Sequence, residues 1–298
     1  MIIEASGISK QFGGHEAIRD LSFSVPEGSA YALIGANGAG KTTTIKVLCN
    51  LVAASHGSAK VLGVDSTRLA PRELAQLGYV SENQRMPGQL TVRQYLDYLR
   101  PFYPSWDRAI ETRLADLFRL PTTQKIGALS HGARMKCRLA CALSFRPRLL
   151  VMDEPFSGID AVVRDDLMTG LLELAGETTI FISSHDLGEI EGLVSHVAFL
   201  EEGRLLFQNS MEELNSRFRA VRVTFEGAAA RPASPPPSWL DIRDSGSVLT
   251  FVDDNYAEAR LREQIAALPG QVRHVEIEPQ SLRSIFVALA RTASRRGH

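Results

Sequence analysis

Residues 35–42 combine glycines, a lysine and a threonine at the spacing that binds phosphate groups. Gly35 and Gly40 are separated by four residues, and Lys41 and Thr42 follow directly. Loop N–H groups and the first turn of the next helix point at an anion in such a segment. Lysine then reaches the β- and γ-phosphates, and the hydroxyl binds Mg²⁺. The pattern predicts a nucleotide site, and a glycine-rich turn without a ligand is the alternative.

Two adjacent carboxylates, Asp153 and Glu154, follow an apolar run at residues 149–152. Successive side chains on a strand point apart. One carboxylate can therefore hold Mg²⁺, directly or through water, while its neighbour addresses the water that attacks a γ-phosphate. For an isolated Asp-Glu pair, a solvated loop start is the alternative interpretation.

Three apolar runs predict the strands that position these groups. Residues 30–34, 149–152 and 179–182 are apolar almost throughout, as strands buried on both faces are. Polar or glycine-rich residues follow each run, at the strand ends where open α/β sheets bind ligands. Residues 1–215 are thus expected to form an α/β domain with a mainly parallel sheet.

A helical insertion is expected at about residues 85–145. Its first helix is indicated by apolar residues at helical spacing, with Thr91 placed to cap it and Pro101 to end it. The insertion is rich in aromatic residues, which we interpret as packing, with a partner-binding groove as the alternative: Tyr98, Phe102, Tyr103 and Trp106.

Residues 216–298 change in character and predict a small α+β domain. Alternating apolar residues at 221–225 and 247–252 indicate strands, residues 261–268 a helix, and Val275 and Ile277 another strand. An amphipathic helix through residues 282–289 closes the domain, and residues 227–237 are expected to form a loop.

Composition limits the class of protein. Of the 298 residues, 44% are hydrophobic and 22% are charged, as in soluble globular proteins. A net charge of −1 lacks the basic footprint of a nucleic-acid binder, so we expect no nucleic acid as partner. Residues 1–4 do not resemble a leader, and no apolar run is long enough to span a bilayer, so a cytoplasmic protein is expected.

The cysteines are expected to be core thiols. Cys137 and Cys141 are one helical turn apart, a spacing that two metal ligands can share, but no further ligands accompany them. We therefore favour packing over metal binding for both and for Cys49.

Taken together, five ordered motifs resemble the ABC ATPase family. They are Walker A at residues 35–43, the signature at 129–133, Walker B at 149–154, the D-loop at 157–160, and the switch histidine at His185. The resemblance covers residues 1–215. It implies a P-loop NTPase fold with the ABC-type helical insertion, and an enzyme that binds ATP and Mg²⁺ and hydrolyses ATP.

The resemblance also implies roles for individual residues. Glu154 would be the general base or polarise water, and His185 would sense the γ-phosphate. Phe12 would stack on adenine, although a core phenylalanine is the alternative. The residues expected to bind nucleotide are Phe12, Gly35, Asn37, Gly38, Ala39, Gly40, Lys41, Thr42, Thr43, Glu82, Ser130, Gly132 and Asp160. The residues expected at the metal are Thr42, Asp153 and Glu82.

Two departures from the family pattern affect these roles. His131 and Ala133 occupy signature positions that normally carry glycine and glutamine. Glu82 fills the position of a glutamine that normally follows a tyrosine-containing strand, and Gln84 is an alternative for its function. These changes bear on the rate of hydrolysis and the symmetry of the sites more than on nucleotide binding.

A single cassette with a degenerate signature and a small C-terminal domain resembles the bacterial branch that exports antibiotics, peptides or lipids. That resemblance implies head-to-tail pairing with a second ATPase subunit, in the simplest case an identical chain. It also implies a separate transmembrane permease, with this protein peripheral on the inner face of the cell membrane. The alternatives are a soluble ABC ATPase that acts on ribosomes or DNA, and a regulatory ATP-binding module with little turnover.

Overall fold

The computed structural model describes residues 1–173, 177–229 and 231–296, with side chains up to residue 289. The chain forms two compact units, Met1–Gln208 and Asn209–His298. The sequence analysis placed this division between residues 215 and 216. In the structure the second unit begins earlier and includes the short helix that follows Ser210.

The first unit contains two sheets. Its strands are β1 (Ile3–Phe12), β2 (His15–Val25), β3 (Ala30–Ile34), β4 (His56–Val61), β5 (Val64–Asp65), β6 (Leu77–Ser81), β7 (Leu149–Asp153), β8 (Thr179–Ser184), β9 (His196–Glu201) and β10 (Arg204–Ser210). One sheet has the order β10-β9-β3-β8-β7-β6 and the other β2-β1-β4-β5. The fold is therefore α/β as predicted, with an antiparallel sheet in addition to the parallel one.

The parallel register of the larger sheet brings the strand ends together. Asp153 at the end of β7 pairs with Ser81 on one side and Ser183 on the other. On the far side of β8, Ile34 pairs with Ser184. β3, β7 and β8 are almost completely buried, and the polar residues Asp153, Ser183 and Ser184 stand together at this edge.

Helices cover these strands. In the first unit they are α1 (Lys41–Leu48), α2 (Pro71–Leu74), α3 (Val92–Leu99), α4 (Arg108–Leu117), α5 (His131–Leu143) and α6 (Ala161–Leu172). The predicted helical segment corresponds to α3, α4 and α5. Thr91 caps α3 by accepting a hydrogen bond from the N–H of Gln94, as expected, and a 3₁₀ turn containing Pro101 follows the helix.

The second unit is a small α+β structure. Its elements are α7 (Met211–Arg217), β11 (Arg219–Phe225), β12 (Trp239–Ser245), β13 (Val248–Asp253), α8 (Glu258–Ala266), β14 (Val272–Pro279) and α9 (Leu282–Arg296). The strands form an antiparallel sheet in the order β12-β13-β11-β14. The sequence missed β12, an edge strand whose register shifts between Leu240 and Arg243, because this irregularity breaks the two-residue alternation.

Neither a membrane span nor a cysteine metal site is found in the described chain. No helix of residues 1–173, 177–229 or 231–296 has both the length and the apolar character needed to cross a bilayer. Cys49, Cys137 and Cys141 are buried free thiols, and burial raises the pKa of Cys49 to about 12. Their packing is that of small apolar side chains.

Candidate nucleotide-binding site

The loop between β3 and α1 requires glycine at its two ends. Gly40 has a φ of 105°, and a Cβ atom there would lie 2.4 Å from the carbonyl oxygen of Ala17. At Gly35 a Cβ atom would lie 2.2 Å from the carbonyl oxygen of Leu200. Both contacts are far inside van der Waals distance and involve backbone, so the tight path of the loop depends on these glycines.

The N-terminus of α1 is left open by the chain itself. Gly40 is the N-cap residue and provides no side-chain hydrogen bond, and the first turn carries no acidic residue. The first N–H groups of a helix have no acceptor within that helix, and they lie at the positive end of its dipole. This arrangement fits an anionic phosphate group.

Lys41 turns back over the loop that precedes it. Its Nζ donates to the carbonyl oxygens of Gly35, at 2.7 Å, and of Ala36, at 3.1 Å. Only 5% of the residue is exposed. The lysine is therefore a preorganised cation at the mouth of the phosphate-binding loop, in agreement with its predicted position.

Glu154 connects this lysine to His185. Its Oε1 lies 3.0 Å from Nζ of Lys41, and its Oε2 lies 2.8 Å from Nδ1 of His185. The Glu154 backbone has a φ of 49°, in the left-handed region that is uncommon for residues other than glycine. Strain of this kind is typical of functional positions, and here it accompanies a carboxylate that lies between the predicted phosphate-binding lysine and the predicted switch histidine.

Asp153 is held on the other side of the strand end. Its Oδ1 accepts hydrogen bonds from the hydroxyls of Thr42, at 3.0 Å, and Ser183, at 2.8 Å. The Ser183 hydroxyl also accepts from the N–H of Glu154, at 3.0 Å. Sequence reasoning missed Ser183, although a serine at the end of the neighbouring parallel strand was the available signal.

The Thr42 and Asp153 oxygens fit a magnesium ion. Mg²⁺ prefers oxygen ligands, keeps several waters, and is typically held by one or two protein groups together with phosphates. Glu82 brings only its backbone to this point, where its N–H donates to the carbonyl oxygen of Asp153 at 3.4 Å. Its carboxylate makes no hydrogen bond or ion pair with any residue that the structure describes.

Gln84 lies on a different side of the same loop. Its backbone carbonyl oxygen accepts a hydrogen bond from Nη2 of Arg138 at 2.6 Å. Gln84 also lines a small cavity together with Tyr95 and Tyr103. Within one chain, Gln84 is therefore directed toward the helical segment.

The signature and D-loop residues lie outside the Lys41 cluster. Ser130 caps α5 by accepting from the N–H of Ala133, at 3.2 Å, and a Cβ atom on Gly132 would lie 3.0 Å from Val163. Asp160 caps α6 through the N–H groups of Val162 and Val163. Their contacts described here are within the helix starts of α5 and α6 and between these two, and none of these contacts joins them to residues 35–42 of the same chain.

Phe12 is exposed at the end of β1. It retains 46% of its surface in solvent, and Nζ of Lys10 lies 4.8 Å from the centre of its ring. The alternative of a core phenylalanine is therefore wrong, and the ring is free to stack on a planar ligand.

Comparison with known proteins agrees with this geometry. Residues 18–157 match the family described as ABC transporter. The chain is 30% identical to the ABC transporter ATP-binding protein YtrB of Bacillus subtilis over 227 residues, covering 76% of this chain and 77% of that protein. It is 32% identical to the bacitracin transport ATP-binding protein BcrA of Bacillus licheniformis over 222 residues, covering 73% of this chain and 72% of that protein.

A solved structure described as an ATP-binding subunit of an ABC transporter shares the fold. It superposes with a TM-score of 0.66 at 26% identity, covering 72% of this chain and 92% of the other. The predicted P-loop fold, ATP binding and ATPase class are thereby confirmed. The chain belongs to the ATP-binding ATPase proteins of the ABC transporter family.

Proposed function

We propose that this protein hydrolyses ATP to power a transporter whose membrane-spanning part is a separate permease, and that Glu154 and His185 act in the hydrolytic step. The observation that carries this proposal is the continuous contact from Lys41 through Glu154 to His185 at the end of the buried strands. This series of contacts places a cation that can bind phosphate, a base that can take a proton from water, and a second polar group close together.

Lys41 and Glu154 exchange partners when ATP binds. The γ-phosphate is a stronger and more highly charged partner for the Lys41 ammonium than one carboxylate is. Once Lys41 pairs with phosphate, the Glu154 carboxylate is free to accept a hydrogen bond from the attacking water and to take its proton. His185 holds the second oxygen of Glu154 and is positioned to respond to the γ-phosphate.

Thr42 and Asp153 would hold Mg²⁺, with Glu82 as a further candidate from the adjacent loop. The ion would neutralise charge on the β- and γ-phosphates when bound. Ser183 keeps Asp153 in place through its hydroxyl, so the metal-binding carboxylate and the backbone of Glu154 are fixed by one side chain.

A second ATPase subunit completes each site. In this proposal two copies of the chain pair head to tail, and Ser130, Gly132 and Asp160 of one copy face the nucleotide bound by the other. Their separation from the Lys41 cluster within a single chain supports this arrangement, and the exposed ring of Phe12 supports stacking on adenine. Nucleotide-driven closure of the dimer would be the step that drives transport.

Export is the proposed direction of transport, with the protein at the inner face of the cell membrane. The support is similarity to relatives such as BcrA, whose name assigns it to bacitracin transport, and the small second unit in the same chain. The net charge of −1 gives no support to nucleic acid as a partner.

Recovery of partners from native membranes tests the proposal. A C-terminally tagged protein is extracted gently, and what copurifies is identified by mass spectrometry. Stoichiometric recovery of an integral membrane protein with several spans is the expected result. Recovery in the soluble fraction only, with ribosomal or DNA-associated proteins, would overturn the transporter proposal in favour of a soluble ABC ATPase.

A further inference from the structure

The second unit contains a partly open cavity that is separate from the nucleotide site. Its volume is about 400 Å³, and the residues that line it all belong to Asn209–His298. Cavities of this size commonly hold small organic ligands, which are oriented by a few polar groups on an otherwise apolar surface. The side chains around this cavity therefore indicate which ligand it can bind.

The floor of the cavity is the face of the sheet that lies away from α8. Side chains alternate between the two faces of a strand, and those of β11 and β13 on the other face pack with Leu261 and Ile265 of α8. A row of polar residues crosses the cavity face, paired from strand to strand across the whole sheet: Arg243, Thr250, Arg222 and Glu276. Beside this row, Ala220 and Val252 pair with each other and supply an apolar strip.

α9 forms one wall of the cavity. Its residues Leu282 and Ile285 are buried, whereas Arg283, Ser284 and Val287 line the cavity. The wall thus adds a guanidinium, a hydroxyl and an apolar side chain to the floor. A ligand between the floor and α9 would meet charged groups from both and apolar groups from both.

Two of the three arginines in the cavity keep open hydrogen-bond donors. Arg243 is engaged by Asp241, with Nη2 2.7 Å from Oδ2 and Nε 3.3 Å from Oδ1. Nε of Arg222 lies 3.7 Å from Oε2 of Glu276, which is longer than a hydrogen bond. The Arg283 guanidinium makes no hydrogen bond or ion pair with any residue that the structure describes. Arg222 and Arg283 can therefore both bind a carboxylate.

Two carboxylates of β14 are open in the same way. Besides its long contact with Arg222, Glu276 has only His274, whose Nε2 lies 3.6 Å from Oε1. The Glu278 carboxylate forms neither a hydrogen bond nor an ion pair within the described parts of the chain. Its residue pairs with Ala220 on the strand that carries Arg222, so the open carboxylate and the open guanidinium are diagonal neighbours on one face.

The balance of charge decides the class of ligand. Three arginines and three acidic residues line the cavity, and each sign contributes groups without a hydrogen-bonding partner. A purely anionic ligand would bring its charge beside Glu276 and Glu278, and a purely cationic one would lie beside Arg222 and Arg283. A ligand with one charge of each sign avoids both repulsions and satisfies both sets of open groups.

We propose that this cavity binds a short peptide with free termini. The terminal carboxylate pairs with Arg222 and Arg283, the terminal ammonium pairs with Glu278, and an apolar side chain of the peptide lies on Ala220 and Val252. A cavity of about 400 Å³ exceeds the size of a single amino acid, which favours a peptide. This inference does not depend on the proposed function, because no residue of the nucleotide site takes part in it.

Equilibrium dialysis of the full-length protein against a mixture of apolar dipeptides tests this proposal, with mass spectrometry of both chambers. Two matched mixtures contain the same dipeptides, one with the amino group acetylated and the other with the carboxylate amidated. The free dipeptides should be enriched with the protein, and either blocked form should bind at least about tenfold more weakly, since each block removes one charge-assisted contact. No enrichment of free dipeptides, or equal binding of a blocked form, would overturn the proposal.

Substitutions in the cavity provide the second measurement. Arg222→Gln, Arg283→Gln and Glu278→Gln should each weaken binding of the enriched dipeptides at least about tenfold. Arg262→Gln and Glu258→Gln are the matched controls, because they remove exposed charges from α8 and should bind as wild type does. Wild-type affinity in the cavity variants would place the peptides elsewhere and overturn the inference. ATPase activity of the same samples reports on the proposed function separately, since either result can fail without the other.

Discussion

Nζ of Lys41 lies 3.0 Å from Oε1 of Glu154, with only 5% of the lysine side chain exposed. This ion pair joins the phosphate-binding loop to the end of β7. Each member is the counter-ion of the other in this structure. In the proposed mechanism, binding of ATP at Lys41 and release of the Glu154 carboxylate are therefore parts of one event. If Glu154 is the base, as proposed, this ion pair would make it available chiefly when ATP is bound.

Glu154→Gln should separate hydrolysis from binding. The amide keeps the shape of the side chain but cannot take a proton from water, so turnover should fall by about 100-fold or more. ATP affinity should be unchanged or higher, because ATP no longer has to displace the Glu154 carboxylate from its ion pair with Lys41. Phosphate release and nucleotide titration measure the two effects, with Glu177→Gln, at an exposed site, as the control. Unchanged turnover in Glu154→Gln would contradict the assigned role.

His185→Ala should lower the maximal rate more than the affinity for ATP. His185 contacts Glu154 at 2.8 Å and makes no contact with Lys41 in the described structure, so its loss should leave the phosphate-binding loop intact. Steady-state kinetics give kcat and KM separately. His274→Ala, an exposed histidine of the second unit, serves for comparison. A large rise in KM at constant kcat would instead assign His185 to substrate binding.

Gly40→Ala should disable the phosphate-binding loop. The new Cβ atom would sit 2.4 Å from the Ala17 carbonyl oxygen, at a backbone φ of 105° that alanine rarely adopts. We expect a loss of about 2 kcal/mol or more in the free energy of unfolding together with loss of ATP binding. Gly63→Ala is the matched control, since Gly63 has a φ of 83° but nothing within 4 Å of the added atom. Denaturant titration should show a larger loss of stability in Gly40→Ala than in Gly63→Ala. Nucleotide titration should show that only Gly40→Ala loses ATP binding.

The sequence predicted those parts of the site in which short-range pattern and strand ends coincide. Asp153 ends the buried strand β7 and Glu154 follows it, whereas Lys41 and Thr42 begin the helix after the loop that follows β3. The parallel pairing of the strands therefore brings all four to one edge of the sheet. Ser183 was missed because a serine at a strand end has no distinctive pattern. Its function arises only from its register with Asp153.

The burial of Arg138 was not predicted, for a different reason. Arg138 occupies a helix that reads as amphipathic, where a single arginine normally reaches solvent. Its burial is a consequence of how α5 packs beside the loop that carries Gln84, and helical spacing does not contain that information. The edge strand β12 was similarly hidden by its irregular register.

Glu111→Gln should destabilise the helical segment. Glu111 is 3% exposed, and its carboxylate accepts from Arg93 at 2.8 Å, Arg100 at 2.9 Å and Trp106 at 2.8 Å. Removing the charge takes away the buried counter-ion that Arg93 and Arg100 share and leaves Arg100 only its pair with the more exposed Asp97, which should cost about 3 kcal/mol. Glu173→Gln breaks a more exposed pair with Arg113 and should cost less than about 1 kcal/mol. Chemical denaturation followed by circular dichroism compares the two variants, and equal losses would contradict the proposed importance of burial.

Ser130→Ala should distinguish a helix cap from a nucleotide contact. Ser130 caps α5 as Thr91 caps α3, through a 3.2 Å hydrogen bond in each case, so either alanine variant should lose about 1 kcal/mol of stability. If Ser130 also binds the nucleotide of a second subunit, Ser130→Ala should lower ATPase activity at least about tenfold further than Thr91→Ala does, since a charge-assisted hydrogen bond contributes about 1.5 to 3 kcal/mol. It should also weaken ATP-dependent dimerisation of the hydrolysis-deficient Glu154→Gln protein in light scattering. Matching stability losses with matching activity would show that Ser130 only caps its helix.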